Sequence, residues 1–183
     1  TGYDASPGTL ESQLVVAANP MYPELVKELD VPFKQTGAIL PAITQEQFEQ
    51  LPAIKAKAFL NRVYDIEYLT KEQIIAMEPN INPEVKGGLH IPRESIIDPF
   101  ILVQALAENA NENGVDFLLN TKVTGIQTED GKIKAVETTA GIIETGYVIN
   151  AAALYCDEIA AMVGKADYKV VARRGKSYII DKN

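Results

Sequence analysis

Asp98-Pro99-Phe100-Ile101-Leu102-Val103-Gln104-Ala105-Leu106-Ala107-Glu108-Asn109-Ala110-Asn111-Glu112-Asn113-Gly114 leads into Val115-Asp116-Phe117-Leu118-Leu119, and the stretch closes near Asp157 with Val148-Ile149-Asn150-Ala151-Ala152-Ala153. Its first residues form a helix start: Asp98 offers a side-chain acceptor to the free N–H groups of the first turn, and Pro99 has no N–H to leave unpaired. Leu102, Leu106, Ala107 and Ala110 recur at helical spacing to Asn113, where Gly114 can take the left-handed conformation that ends a helix. The period then changes to two. Val115–Leu119 predicts a short strand, and Lys122–Thr128, Lys132–Thr139 and Ile142–Ile149 predict three more. The turns Glu129-Asp130-Gly131 and Ala140-Gly141 are too short for crossovers, so these last three strands form an antiparallel meander. Leu154–Val163 predicts a helix stopped by Gly164, and Tyr168–Arg174 with Lys176–Asp181 a final hairpin.

Upstream of this stretch the chain has another character. All ten prolines lie between Pro7 and Pro99, which puts the expected domain boundary near residue 98. Leu10–Leu29 has helical periodicity interrupted by Pro20 and Pro23, predicting a helix that bends or restarts. Lys34–Ile43 is extended. Thr44 with Gln47, and Thr70 with Gln73, have the Thr-x-x-Gln spacing of a capping box; the first opens a helix to about Val63, the second a short one ending before Pro79. Gly87-Gly88-Leu89-His90-Ile91-Pro92 predicts a strand with Leu89 and Ile91 on one face and His90 on the other.

Composition excludes several classes of function. The 183 residues are 46% apolar and 23% charged, ordinary values for a folded chain with one good core or two small ones. A net charge of −8 with no dense Lys/Arg run disfavours a nucleic-acid partner. One histidine and one cysteine, Cys156, leave no set for a tetrahedral metal site and no internal disulfide, so no metal and a reducing compartment are expected. No apolar run approaches the roughly 18 residues that cross a bilayer. The expected location is cytoplasmic, with peripheral membrane association left open for the parent protein.

Several pieces, in order, resemble the D-amino-acid-oxidase-like superfamily of FAD-dependent oxidoreductases. They are Glu108–Gly114, Thr121-Lys122-Val123-Thr124-Gly125-Ile126 and Val148-Ile149-Asn150-Ala151-Ala152-Ala153. Gly2-Tyr3-Asp4-x-x-Pro7-Gly8-Thr9-Leu10 and Arg173-Arg174-Gly175-Lys176-Ser177-Tyr178-x-x-Asp181-Lys182 are similar to segments of its anaerobic glycerol-3-phosphate dehydrogenase and L-2-hydroxyglutarate dehydrogenase group. The resemblance implies FAD as cofactor and a small anionic substrate. It places Val123 where a strand backbone meets the adenine edge, and Asn150, Ala151 and Ala152 beside the FAD pyrophosphate and adenosine. The chain departs from the family in having Ala153 where glycine is usual, and it contains no Gly-x-Gly-x-x-Gly phosphate turn.

Three side chains are candidates for the substrate side. His90 is a candidate base toward a substrate hydroxyl, since imidazole can take a proton at physiological pH; the alternative is a hydrogen-bonded histidine without chemistry. Arg174 has the planar fork that holds a carboxylate or phosphate, the alternative being a solvated arginine pair with Arg173. Tyr178 either lines the same cavity or is a half-buried hairpin aromatic. Near the start of its helix, Cys156 reads as a small buried residue.

The expected fold is α+β. Residues 1–97 form a substrate-side domain of mixed helices and antiparallel sheet, joined by the 168–183 hairpin, and residues 98–167 form a partial FAD-binding domain with a β-meander. The parent protein is expected to transfer hydride to flavin from a hydroxyl-bearing carbon of glycerol 3-phosphate or a 2-hydroxy acid, with an electron acceptor that the sequence does not fix. The isolated chain is expected to be an apo, inactive fragment. Amino-acid oxidation by the same superfamily and a non-catalytic scaffold module are the alternatives.

Overall fold

Helix starts in the first part of the chain are set by local side-chain acceptors. Thr9 Oγ1 accepts from the Ser12 N–H at 3.2 Å and opens α1 (Leu10–Ala18). A tight turn at Asn19–Met21 follows and α2 (Tyr22–Glu28) begins behind it, so of the two forms expected at Pro20 and Pro23, a bend or a restart, the chain takes the restart. Helix α3 (Gln45–Leu60) begins with a full capping box: Thr44 Oγ1 accepts from Gln47 N–H at 3.2 Å, and Gln47 Oε1 accepts from Thr44 N–H at 3.1 Å. The same reciprocal pair, Thr70 with Gln73, opens α4 (Lys71–Met77). At the end of α3 the chain reverses through Arg62 at φ +63, and Val63 turns into the core with its N–H on Ala58 O.

The computed structural model describes residues 1–165 and 167–175, which divide into a unit Thr1–Val115 and a unit Asp116–Asn183. In the first unit, β1 (Phe33–Lys34) pairs antiparallel with β5 (Ile96–Ile97), and a three-stranded antiparallel sheet has the order β2 (Ala38–Ala42), β4 (Gly87–Ile91), β3 (Glu67–Thr70). Leu89 and Ile91 point into a core with Ala42, Leu51, Ala58, Val63 and Ile66, as the alternation of that strand predicts. β3 and β5 were not expected. Three of the four β3 residues are exposed and β5 has two residues, so neither has the apolar alternation that marks a strand in sequence.

β4 is hydrogen-bonded on both sides, and its two glycines make that possible. A Cβ on Gly88 would lie 2.5 Å from Leu40 O, and one on Gly87 would lie 2.7 Å from the Phe48 ring of α3. The partner opposite Gly88 on edge strand β2 is Pro41, whose missing N–H is tolerated at a sheet edge. Beyond β4, Arg93 binds Asp65 with two bonds of 2.7 Å, Nε to Oδ2 and Nη2 to Oδ1, tying the β4–β5 turn to the loop before β3. Buried Asn61 donates to Gly2 O and Ala5 O, each at 2.8 Å, and clips the N-terminal loop to the end of α3.

Helix α5 (Pro99–Glu112) starts as expected, with Asp98 Oδ1 accepting from the N–H groups of Phe100 and Ile101. The division between units falls after it, at Val115/Asp116, later than the change in proline content near 98. Asp98 N–H bonds Pro32 O, and the preceding β5 pairs with β1, so the start of α5 is held by the first unit.

The second unit contains the expected meander of β6 (Val123–Glu129), β7 (Lys132–Thr138) and β8 (Gly141–Glu144). Asp130 and Gly131 both have positive φ, as a two-residue hairpin turn requires. A tight turn at Ala153–Tyr155 precedes α6 (Cys156–Ala161). Two strand expectations are corrected. Val115–Leu119 is irregular, and the third meander strand ends at Glu144 rather than Ile149. Both segments are apolar enough for strands, but a strand also needs a neighbour to bond, and neither has one among the described residues. Of the expected last hairpin, the first half, Tyr168–Arg174, is irregular, and the second half, Lys176–Asp181, lies outside the described residues.

Two expected outcomes follow from the packing of the first unit. Gly88→Ala forces a side chain against the Leu40 carbonyl, within a strand that cannot move without losing a ladder, and should cost about 3 kcal/mol in urea unfolding; a loss under about 0.5 kcal/mol would show that β2 yields. The Arg93 bond holds the Asp65 carboxyl below its usual range, against the opposing effect of burial. A depressed folded-state pKa adds stability that is present above the unfolded value near pH 4 and lost as pH falls through the folded one. Asp65→Asn should therefore flatten the acid limb of the stability–pH curve, and an unchanged limb would remove the pair as its source.

Candidate functional site

The second unit brings three of the candidate residues into one bend. Asn150 Oδ1 accepts from Ala152 N–H at 3.3 Å, while Asn150 Nδ2 donates to Cys156 O at 2.8 Å, so the carboxamide spans the turn from the end of the extended segment to the start of α6. Ala152 has φ −78 and ψ 15, near the right-handed helical region, and Ala153 has φ +48 in the left-handed one. Right-handed followed by left-handed backbone makes successive N–H groups converge into a concavity that suits an anionic oxygen. Ala151, Ala153 and Leu154 are exposed, and their N–H groups have no acceptor among the described residues.

Ala153 is the departure noted in the sequence, and its left-handed backbone is one that glycine adopts more readily than alanine. An L-residue with a Cβ pays about 1 kcal/mol for the left-handed conformation, whereas glycine pays almost nothing. The bend keeps the shape despite the alanine.

Val123 is the first residue of β6, an edge of the meander, and its register partner is Thr138. The neighbouring pair is bonded: Thr139 N–H donates to Lys122 O at 2.9 Å and Lys122 N–H to Thr139 Oγ1 at 3.0 Å. Antiparallel pairing alternates, so the Val123 N–H and C=O turn toward the open edge of the sheet. A bulge between Val123 and Gly125 adds to the twist there. This geometry offers one donor and one acceptor in line, and no particular side chain is needed.

The other candidates are placed separately. His90 belongs to the first unit, half-buried on the face of β4 opposite Leu89 and Ile91. It lines a cavity of about 340 Å³ with Gly37, Ile39, Met77 and Glu78. Its Nε2 lies 3.1 Å from where a Gly37 Cβ would stand, so the glycine leaves room for the ring. Arg174 is exposed in the irregular segment of the second unit, and Tyr178 lies outside the described residues. Cys156 is half-buried, and its carbonyl accepts a second bond, from Tyr168 OH at 3.2 Å. Asp157 Oδ2 accepts from Val170 N–H at 3.0 Å, and this bond holds its carboxyl below the usual range. Together Tyr168 and Asp157 tie the segment leading to Arg174 onto α6.

Sequence reading missed the Asp65–Arg93 pair and the Tyr168 and Asp157 ties. These contacts join residues 28, 12 and 13 positions apart with no motif between them. Among the described residues no group of three His, Cys, Asp or Glu side chains is arranged to hold a metal ion, and no helix is long and apolar enough to cross a membrane.

The open strand edge and the bend with free N–H groups sit within a chain whose likeness to known proteins runs end to end. It is 38% identical over 181 residues to glycerol 3-phosphate dehydrogenase of Caloramator mitchellensis, covering 99% of this chain and 38% of that protein. To L-2-hydroxyglutarate dehydrogenase of Indibacter alkaliphilus it is 27% identical, over 100% of this chain and 45% of the relative. The FAD-bound structure of L-alpha-glycerophosphate oxidase from Mycoplasma pneumoniae superposes with a TM-score of 0.75 at 28% identity, covering 88% of this chain and 44% of the other. The chain thus spans less than half the length of these proteins. The family model of FAD dependent oxidoreductases matches residues 1–183, so the expected resemblance holds along the whole sequence and this chain belongs to that family.

Proposed function

We propose that the protein carrying this chain binds FAD and oxidises a hydroxyl-bearing carbon of a small anionic substrate, glycerol 3-phosphate or a 2-hydroxy acid. The observation that carries this reading is the 38% identity to a glycerol 3-phosphate dehydrogenase over 99% of the chain. The donor set agrees with the cofactor. The outward N–H and C=O of Val123 match the hydrogen-bonding edge of an adenine, and the small residues Ala151 and Ala152 allow a dinucleotide to approach the N–H groups of the 150–154 bend. When bound, the flavin supplies the two-electron acceptor, and the protein's part is binding, orientation and proton transfer.

His90 takes the proton from the substrate hydroxyl, which leaves the carbon ready to give up hydride. The room left by Gly37 and the cavity beside the ring fit that role. Arg174 holds the substrate's phosphate or carboxylate with its planar fork, assisted by Tyr178. Asn150 belongs to the cofactor side with Ala151 and Ala152. The protein works on a soluble substrate, and its location is cytoplasmic or at a membrane surface.

The test is a turnover panel of glycerol 3-phosphate, L-2-hydroxyglutarate and amino acids, run on the full-length protein with an artificial electron acceptor. Hydroxyl-bearing substrates should lead, and faster turnover of an amino acid would replace this reading with amine oxidation. His90→Gln should lower kcat by about 100-fold, and Arg174→Ala should raise KM for the anionic substrate by about tenfold or more. Values within about twofold of the parent in either variant remove that residue from its role. Purified full-length protein should be yellow. The 183-residue chain alone, with no Gly-rich phosphate turn, should be colourless, and stoichiometric FAD on it would show that the bend and strand edge suffice.

A further inference from the structure

We propose that Asn150 is a positioning residue, whose carboxamide holds the 150–156 bend in the shape that offers the Ala153 and Leu154 N–H groups to FAD, without itself contacting the cofactor. This rests on the FAD reading above and assigns Asn150 a different task from its neighbours. Both polar atoms of the carboxamide are engaged within the chain, Oδ1 with Ala152 N–H at 3.3 Å and Nδ2 with Cys156 O at 2.8 Å. The two bonds bracket Ala153, one just before it and one three residues after it. Between them stands the one residue of the bend with positive φ, at +48. An alanine does not hold that conformation by preference, so the bracket stabilises what a glycine would adopt freely. Tyr168 OH on the same Cys156 carbonyl, at 3.2 Å, fixes the far end of the bracket.

A residue that acts by shaping the backbone leaves a distinct trace in a double-mutant cycle. If Asn150 only sets the population of the competent bend, the apparent FAD affinity falls in proportion to that population, and a change that restores the bend restores the affinity. Ala153→Gly is such a change. If Asn150 contacts FAD directly, glycine at 153 cannot compensate.

The experiment titrates FAD, followed by flavin fluorescence, into apoprotein of the full-length parent, Asn150→Ala, Ala153→Gly and the double variant, with amide hydrogen exchange recorded on the same four proteins. Asn150→Ala should weaken FAD binding about tenfold, and the double variant should bind within about twofold of Ala153→Gly alone. Exchange at Tyr155 N–H, which donates to Ala152 O across the bend at 2.9 Å and not to Asn150, should speed up in Asn150→Ala and recover in the double variant. An equal loss of affinity with and without Ala153→Gly overturns the proposal in favour of direct contact. Wild-type affinity in Asn150→Ala overturns it outright. Should the parent take up no FAD, the cofactor reading fails, and the exchange data still decide the bracket: unchanged Tyr155 exchange in Asn150→Ala would show that the carboxamide does not hold the bend.

Discussion

The first unit depends on one close approach, that of β4 to both of its neighbours. Strands bonded on both sides leave no lateral space, and at Gly88 the Leu40 carbonyl already occupies the position of a side chain. With β4 fixed in this way, pleating decides the rest: Leu89 and Ile91 enter the core at 0% and 2% exposure, and His90 is turned to the opposite face. A one-residue slip would bury the imidazole and expose both apolar side chains. The candidate base is therefore oriented by packing on the other side of its strand, and the Asp65–Arg93 bond pins the turn that follows.

Elements whose cause is local could be read from the sequence. Thr44, Thr70 and Asp98 satisfy donors two or three residues away, so a short window contains both partners, and α3, α4 and α5 begin where their caps lie. The meander was legible for the same reason, since its turns are two residues long. Elements whose cause is distant were not. β3 exists because Glu67–Thr70 pairs with Gly87–His90, and its own side chains are mostly exposed. Val115–Leu119 fails in the opposite sense: its composition suits a strand, but pairing is a property of two segments.

Apolar surface is distributed unevenly over the structure. α5 has no buried residue, and Phe100 on it is 85% exposed. A helix of 14 residues with an uncovered apolar stripe at Phe100, Val103 and Leu106 draws its stability from its caps and backbone bonds, which is marginal in water. In the second unit Tyr147 and Ile149 are more than 90% exposed on the way into the bend. Apolar segments of this kind gain most from any surface that covers them.

The cofactor contacts proposed for this chain use backbone groups, whose geometry no residue type advertises in the sequence. A main-chain N–H is the same in any residue, so selection acts on whatever fixes the backbone's direction: edge position and pairing phase at Val123, left-handed φ at 153, a side-chain bracket from 150. Glycine at 153 would make the bend intrinsically favourable, and a bracketing carboxamide would then be partly redundant. With alanine there, the same geometry has to be enforced from outside the residue. On the proposal above, the departure at 153 and the two bonds of the Asn150 carboxamide answer a single constraint, the second offsetting the first.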